Sequence, residues 1–102
     1  MIHISELDLH SHLKARMSQR GITIEEIERV LSDGWEAKDA KAGTLGKVFV
    51  FQYNTIWEGR MFEEKEVCVY YKVVRAKMVL LTANARYGKG FSKEGEGNEA
   101  GI

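Results

Sequence analysis

The stretch His12-Leu-Lys-Ala-Arg16-Met-Ser-Gln-Arg20-Gly21-Ile22-Thr23-Ile-Glu-Glu26-Ile27 decides how the chain is read. Leu9, Leu13 and Met17 recur every four residues, so a helix from near Asp8 to Arg20 carries them as one apolar stripe. Ser5 or Asp8 is the expected N-cap. Gly21 ends this helix, because glycine accepts the left-handed conformation that helix ends need. Thr23 and Glu26 then form a capping box, with Ile22 and Ile27 placed as a hydrophobic staple. Ile27, Val30 and Leu31 make the second buried face, and Gly34 closes the helix. The short link between the two helices folds them back as a hairpin.

Downstream, the residue usage changes to β-branched and aromatic. Residues 35–46 read as a loop, with room for a weak strand. Strands are expected at Lys47–Tyr53, Ile56–Phe62, Val67–Val74 and Lys77–Ala83. Turns are expected at Asn54-Thr55, Glu63–Lys65 and Arg75-Ala76, and links this short impose antiparallel pairing. Residues 1–5 alternate weakly and suit a short edge strand. In the third strand Val67, Val69, Tyr71 and Val73 share one face, and Cys68, Tyr70, Lys72 and Val74 the other. One face covers the helices. The whole is an α+β domain over 1–91, an N-terminal helical hairpin packed on a four-stranded antiparallel sheet. A Gly/Glu-rich mobile tail is expected over 92–102.

The chain has 102 residues, a length for one domain. A lone cysteine, Cys68, allows neither an intramolecular disulfide nor a thiolate metal cluster. No apolar run is long enough to span a bilayer. With no secretory leader pattern at the start, a cytoplasmic protein off the membrane is expected. Cofactors and metals are not called for. Net charge is zero, yet residues 65–91 hold six basic side chains and one acidic, a local +5. Such a face can bind phosphate, or its lysines can simply protect sheet edges.

Two constellations could carry chemistry. His12, Arg16 and Arg20 stand four residues apart on the first helix. An imidazole moves protons near neutral pH, and guanidiniums fit phosphate oxygens. In the structural alternative, Arg16 and Arg20 pair with Glu26 or Glu28 of the second helix. The second constellation is Lys65, Tyr71, Arg86 and Tyr87, with Lys72 in reserve, a basic and aromatic set suited to phosphates and bases. Its alternative is that tyrosines serve as strand residues with polar tips.

The pattern His12-x-x-x-Arg16-x-x-x-Arg20-Gly21-Ile22, followed by a capped helix, resembles the bacterial family known as domain of unknown function 4258. Tyr53-Asn54, Trp57 and Gly59, Glu64-Lys65-x-Val67, Tyr70-Tyr71-Lys72, Thr82 and Arg86-Tyr87-Gly88 extend that resemblance over residues 8–90. The family is similar in layout to the RelE-like toxins. The resemblance implies a metal-independent endoribonuclease, or an RNA-binding relative, that meets RNA or the ribosome and is held by an antitoxin. In that reading His12, Tyr71 and Arg86 are catalytic, and Arg16, Arg20, Lys65 and Tyr87 bind RNA phosphates. A neutral chain departs from the strongly basic habit of such toxins. The alternative is a non-catalytic protein-interaction module, a homodimer among its forms, using a sheet edge or the second apolar face.

Overall fold

The computed structural model describes residues 2–93. After a 3-10 turn at Glu6–Asp8 come α1 (Ser11–Arg20), α2 (Ile24–Asp33), β1 (Trp35–Glu36), β2 (Leu45–Trp57), β3 (Arg60–Val74) and β4 (Lys77–Gly88). The strands form one antiparallel sheet in the order β1-β2-β3-β4. Both helices lie on one side of it, α1 along β4 and α2 over β2 and β3. The fold is therefore α+β, two helices on an open four-stranded sheet.

The helices start and stop where local chemistry dictates. His10, rather than Ser5 or Asp8, caps α1: its Nδ1 accepts the Leu13 N–H. That leaves Nε2 to carry the hydrogen and donate to the Leu80 carbonyl at 3.1 Å, tying the helix start to β4. Ser5 instead caps the preceding 3-10 turn. Gly21 ends α1 at φ 68°. The Thr23–Glu26 capping box opens α2. Gly34 closes α2 in an extended conformation (φ −74°, ψ 172°) rather than a left-handed one. It is needed for space, because a Cβ there would fall on the Val30 and Val48 carbonyl oxygens.

The strand boundaries differ from those expected. Asn54-Thr55 does not reverse the chain; β2 runs through it with a bulge, Asn54 at φ 47°. The reversal comes at Glu58-Gly59, both at positive φ (49° and 82°), as a tight hairpin of this hand requires. Glu63–Lys65 is not a turn either but lies within β3, so the expected strand Ile56–Phe62 is divided: its first two residues end β2, and Arg60–Phe62 runs on into Val67–Val74. The fourth strand is the weak one, β1. Arg75-Ala76 is a hairpin turn, with both residues left-handed. Residues 2–5 form no strand; Ile2 and Ile4 pack on the core while their amides donate to Ser32 and Glu28. Of the tail expected over 92–102, residues 94–102 lie outside the described residues. Lys93 is held to Glu64 at 2.8 Å.

Leu13, Ile27, Val30, Val67, Val69 and Ala83 are fully buried between the layers. Each large aliphatic of this set contributes on the order of 2 kcal/mol by leaving water. Tyr71 belongs to this core at 8% exposure, and Lys65 at 2%. The Lys65 ammonium donates to Glu26 (2.8 and 2.9 Å) and to the Gly21 carbonyl. It lies 5.4 Å from the ring centroids of both Tyr53 and Tyr87. One buried cation thus locks the α1–α2 link to the sheet. Tyr87 completes the lock: its ring stacks on Trp57 and its hydroxyl donates to the Arg20 carbonyl. Burial pushes its pKa up, so the hydroxyl stays a donor.

Candidate functional site

Strand alternation sends every second β3 side chain away from the helices. Glu66, Cys68 and Tyr70 therefore face the open side, while Val67, Val69 and Tyr71 face the core. The register sets Glu66 opposite Arg86, Cys68 opposite Asn84 and Tyr70 opposite Thr82. Glu66, Cys68, Tyr70, Asn84 and Arg86, with Arg20 and Asp39, line a trough of about 580 Å³ on the bare sheet face.

Each wall has a local cause. Tyr70 lies opposite Gly46, where a Cβ would meet its ring at 2.9 Å, so the ring can lie flat across β2. The Tyr70 hydroxyl donates to Asp39 in the β1–β2 loop at 2.9 Å. Arg20 reaches round the β4 edge from the end of α1 and donates to the Ala83 carbonyl at 2.8 Å and to the Asn84 side chain. At the far end the chain after β4 folds back. The Phe91 amide and the Lys93 ammonium both donate to Glu64, and the Arg86 guanidinium stands 4.9 Å from the Phe91 ring centroid.

Arg86 is the most exposed cation of the trough, with 67% of its side chain in solvent. Its Nε donates to Glu66 at 2.7 Å. Among the described residues its two terminal amines make no hydrogen bond. The guanidinium is thus fixed at its root and open at its fork, the arrangement that takes a phosphate or carboxylate bidentately. Burial and the Asp39 hydrogen bond raise the Tyr70 pKa, and burial pushes the Cys68 thiol up to about 11. Both keep their protons at neutral pH. Glu66 is the carboxylate of this set beside the open fork, and it can accept one.

The sequence-derived candidates separate. Arg20 and Arg86 meet at the trough. His12 is exposed on the first turns of α1, its ring stacked on His10, and does not line the trough. Arg16 donates to Gln19 on the helix surface and does not line it either. Lys65, Tyr71 and Tyr87 face the helices, for the packing reasons given above. Cys68 and Tyr70 were signalled by the same alternation that separates Tyr70 from Tyr71, whereas Glu66 fell just before the expected strand. Asp39 and Asn84 carried no local signal.

A helical hairpin on one side of an antiparallel sheet, with a polar trough on the other, makes this a small α+β domain. The sequence pattern of the family described as domain of unknown function (DUF4258) matches residues 9–84, and the chain belongs to that family. No match was found among curated proteins or among solved structures. Among the described residues no helix is long and apolar enough to cross a membrane.

Proposed function

We propose that the protein is a RelE-like, metal-independent endoribonuclease, or an RNA-binding relative of one, working on the open sheet face. The observation that carries this reading is Arg86, anchored by Glu66 and open at its fork beside Arg20. In the proposed reaction a ribose 2′-hydroxyl attacks the adjacent phosphorus and passes its proton to Glu66. The bond from phosphorus to the 5′-oxygen breaks, and that oxygen takes a proton from water. Arg86 and Arg20 hold the non-bridging oxygens, where charge grows. Glu66 takes the role that His12 or Tyr71 was expected to fill. An antitoxin, in this reading, is a protein that covers the trough.

The test is cleavage of labelled mixed-sequence RNA in EDTA, with and without ribosomes. Arg86→Ala and Glu66→Gln should each lower the rate about 10²-fold or more, with only Arg86→Ala also weakening retention. Two phosphate contacts predict a log–log salt slope of about −1.4 for single strands. No cleavage together with no retention sinks the proposal.

A second reading, a non-catalytic interaction module, is favoured by the outer edge of β2. β1 pairs only with Lys47 and Val48. From Phe49 onward that edge has no strand partner among the described residues, so an extended peptide can add there. Such binding would respond little to salt.

A further inference from the structure

We propose that the RNA-binding face does not end at the trough: it runs on over Tyr70 to the β3–β4 hairpin and takes an extended single strand. The proposal rests on the RNA reading above and adds to it the form and length of strand that the face accepts.

The charge distribution points there. From Val67 to Ser92 the chain has no acid, while Lys72, Arg75, Lys77, Arg86 and Lys89 fall within that stretch, in a chain of zero net charge. Arg86 belongs to the trough. Lys72, Arg75 and Lys77 are exposed, and none of them makes an ion pair among the described residues. Their register puts them on the trough's side of the sheet. Glu66, Cys68, Tyr70, Lys72 and Val74 alternate onto one face of β3. Lys77 lies directly opposite Val74, and Arg75 is in the turn that joins the two strands.

The face is continuous between these cations and the trough. A second hollow of about 450 Å³ shares Asp39, Tyr70 and Asn84 with the trough and reaches Thr44, the residue before the Leu45–Tyr71 pair. Lys41 also lines it, and its charge offsets that of Asp39. The acids of the two hollows already have partners: Glu66 accepts from Arg86, and Asp39 from Tyr70. Cations therefore stand at both ends, with an aromatic ring between them that lies flat over Gly46. A single strand matches this order, because it brings phosphates at intervals and bases free to stack, whereas a duplex keeps its base faces hidden. From Glu66 to Val74 β3 covers about 26 Å at the usual strand rise. At about 3.4 Å per stacked nucleotide, that is room for about eight.

The test is binding of a mixed-sequence 2′-O-methyl strand of about twelve nucleotides, which cannot be cut because the attacking hydroxyl is blocked. Five phosphate contacts give a log–log salt slope of about −3.5, a loss of about 130-fold between about 50 and 200 mM salt. The trough's two cations alone give about −1.4, a loss of about 7-fold. Replacing Lys72, Arg75 and Lys77 together by Gln should return the slope to that lower value, while Lys14→Gln, on the first helix, should leave it steep. A trinucleotide, too short to join the two ends, should bind at least about tenfold more weakly. Tyr70→Leu should weaken binding about tenfold at an unchanged slope, because stacking releases no counterions. Circular dichroism confirms that each variant is folded. A wild-type slope near −1.4, or a triple variant as steep as the wild type, overturns the extended face and leaves the trough's reading standing. Binding indifferent to Tyr70→Leu overturns the single strand in favour of any polyanion, an acidic peptide included. No binding of any strand overturns the inference and the RNA reading together.

Discussion

Removing Glu26 should destabilise the protein more than removing Lys65, although the two form one ion pair. The asymmetry follows from burial: Lys65 is 2% exposed and the Glu26 side chain 19%. Glu26→Ala strands an ammonium in the core with only the Gly21 carbonyl as acceptor, a loss of about 3–5 kcal/mol. It also removes the carboxylate that accepts the Thr23 amide, a capping term of about 1 kcal/mol. Lys65→Met leaves Glu26 with that amide and with water, and the methionine fills the space between Tyr53 and Tyr87. Its cost should be about 2–3 kcal/mol, the low side of breaking a buried pair. At about 4–8 °C per kcal/mol for a domain of this size, Glu26→Ala should lower Tm by about 20 °C or more. The double variant is the sharper measurement. With the stranded charge gone, it should be more stable than Glu26→Ala alone. Urea unfolding followed by circular dichroism reads all three. A double variant less stable than Glu26→Ala, or a Lys65→Met cost at least equal to that of Glu26→Ala, would refute the reasoning.

Gly21→Ala should cost more than about 2 kcal/mol in the same assay, combining left-handed strain with a Cβ thrust against the Trp57 ring; a near-neutral result would show that the link can shift. Glu64 titrates below its ordinary 4.5, because Lys93 and the Phe91 amide favour its charged form. A lowered folded pKa contributes stability that is complete above the unfolded value and is lost as pH falls through the folded one. The wild type should therefore lose more stability than Glu64→Gln on acidification below 4.5, and parallel curves for the two would contradict the contact. Cys68 should react with iodoacetamide at pH 8 about 100-fold more slowly than free cysteine, since its pKa near 11 leaves little thiolate. A rate close to that of the free thiol would mean that the sheet face opens there.

The helical hairpin was legible because its signals are local: a four-residue stripe, a capping box and a left-handed glycine. The strands were less so. Glu63-Glu64-Lys65 looks like a polar turn, yet Glu64 and Lys65 are buried because their partners, Lys93 and Glu26, arrive from far along the chain. Asn54 has the turn residue's readiness for positive φ, and the fold uses it for a bulge. The trough was half legible. Alternation along β3 distinguishes Tyr70 from Tyr71, but what Arg86 is anchored by depends on register, which no single strand encodes. Asp39 reaches its place through a loop path, and Asn84 lies one residue past the expected end of the last strand, on the part of β4 that the pattern did not announce.

The two borders of the sheet are finished differently. On β4, the Leu80 and Ala83 carbonyls already accept hydrogen bonds from His10 and Arg20, so a newcomer strand would have to displace two side chains of α1. On β2, among the described residues, no side chain bonds the backbone from Phe49 to Gln52; such bonds begin only at the bulge, where the Tyr53 carbonyl accepts from Thr55. Any ribbon-like growth of this sheet, whether a bound peptide or an aggregate seeded under stress, thus has a direction built in: it starts at Phe49 and proceeds away from the first helix.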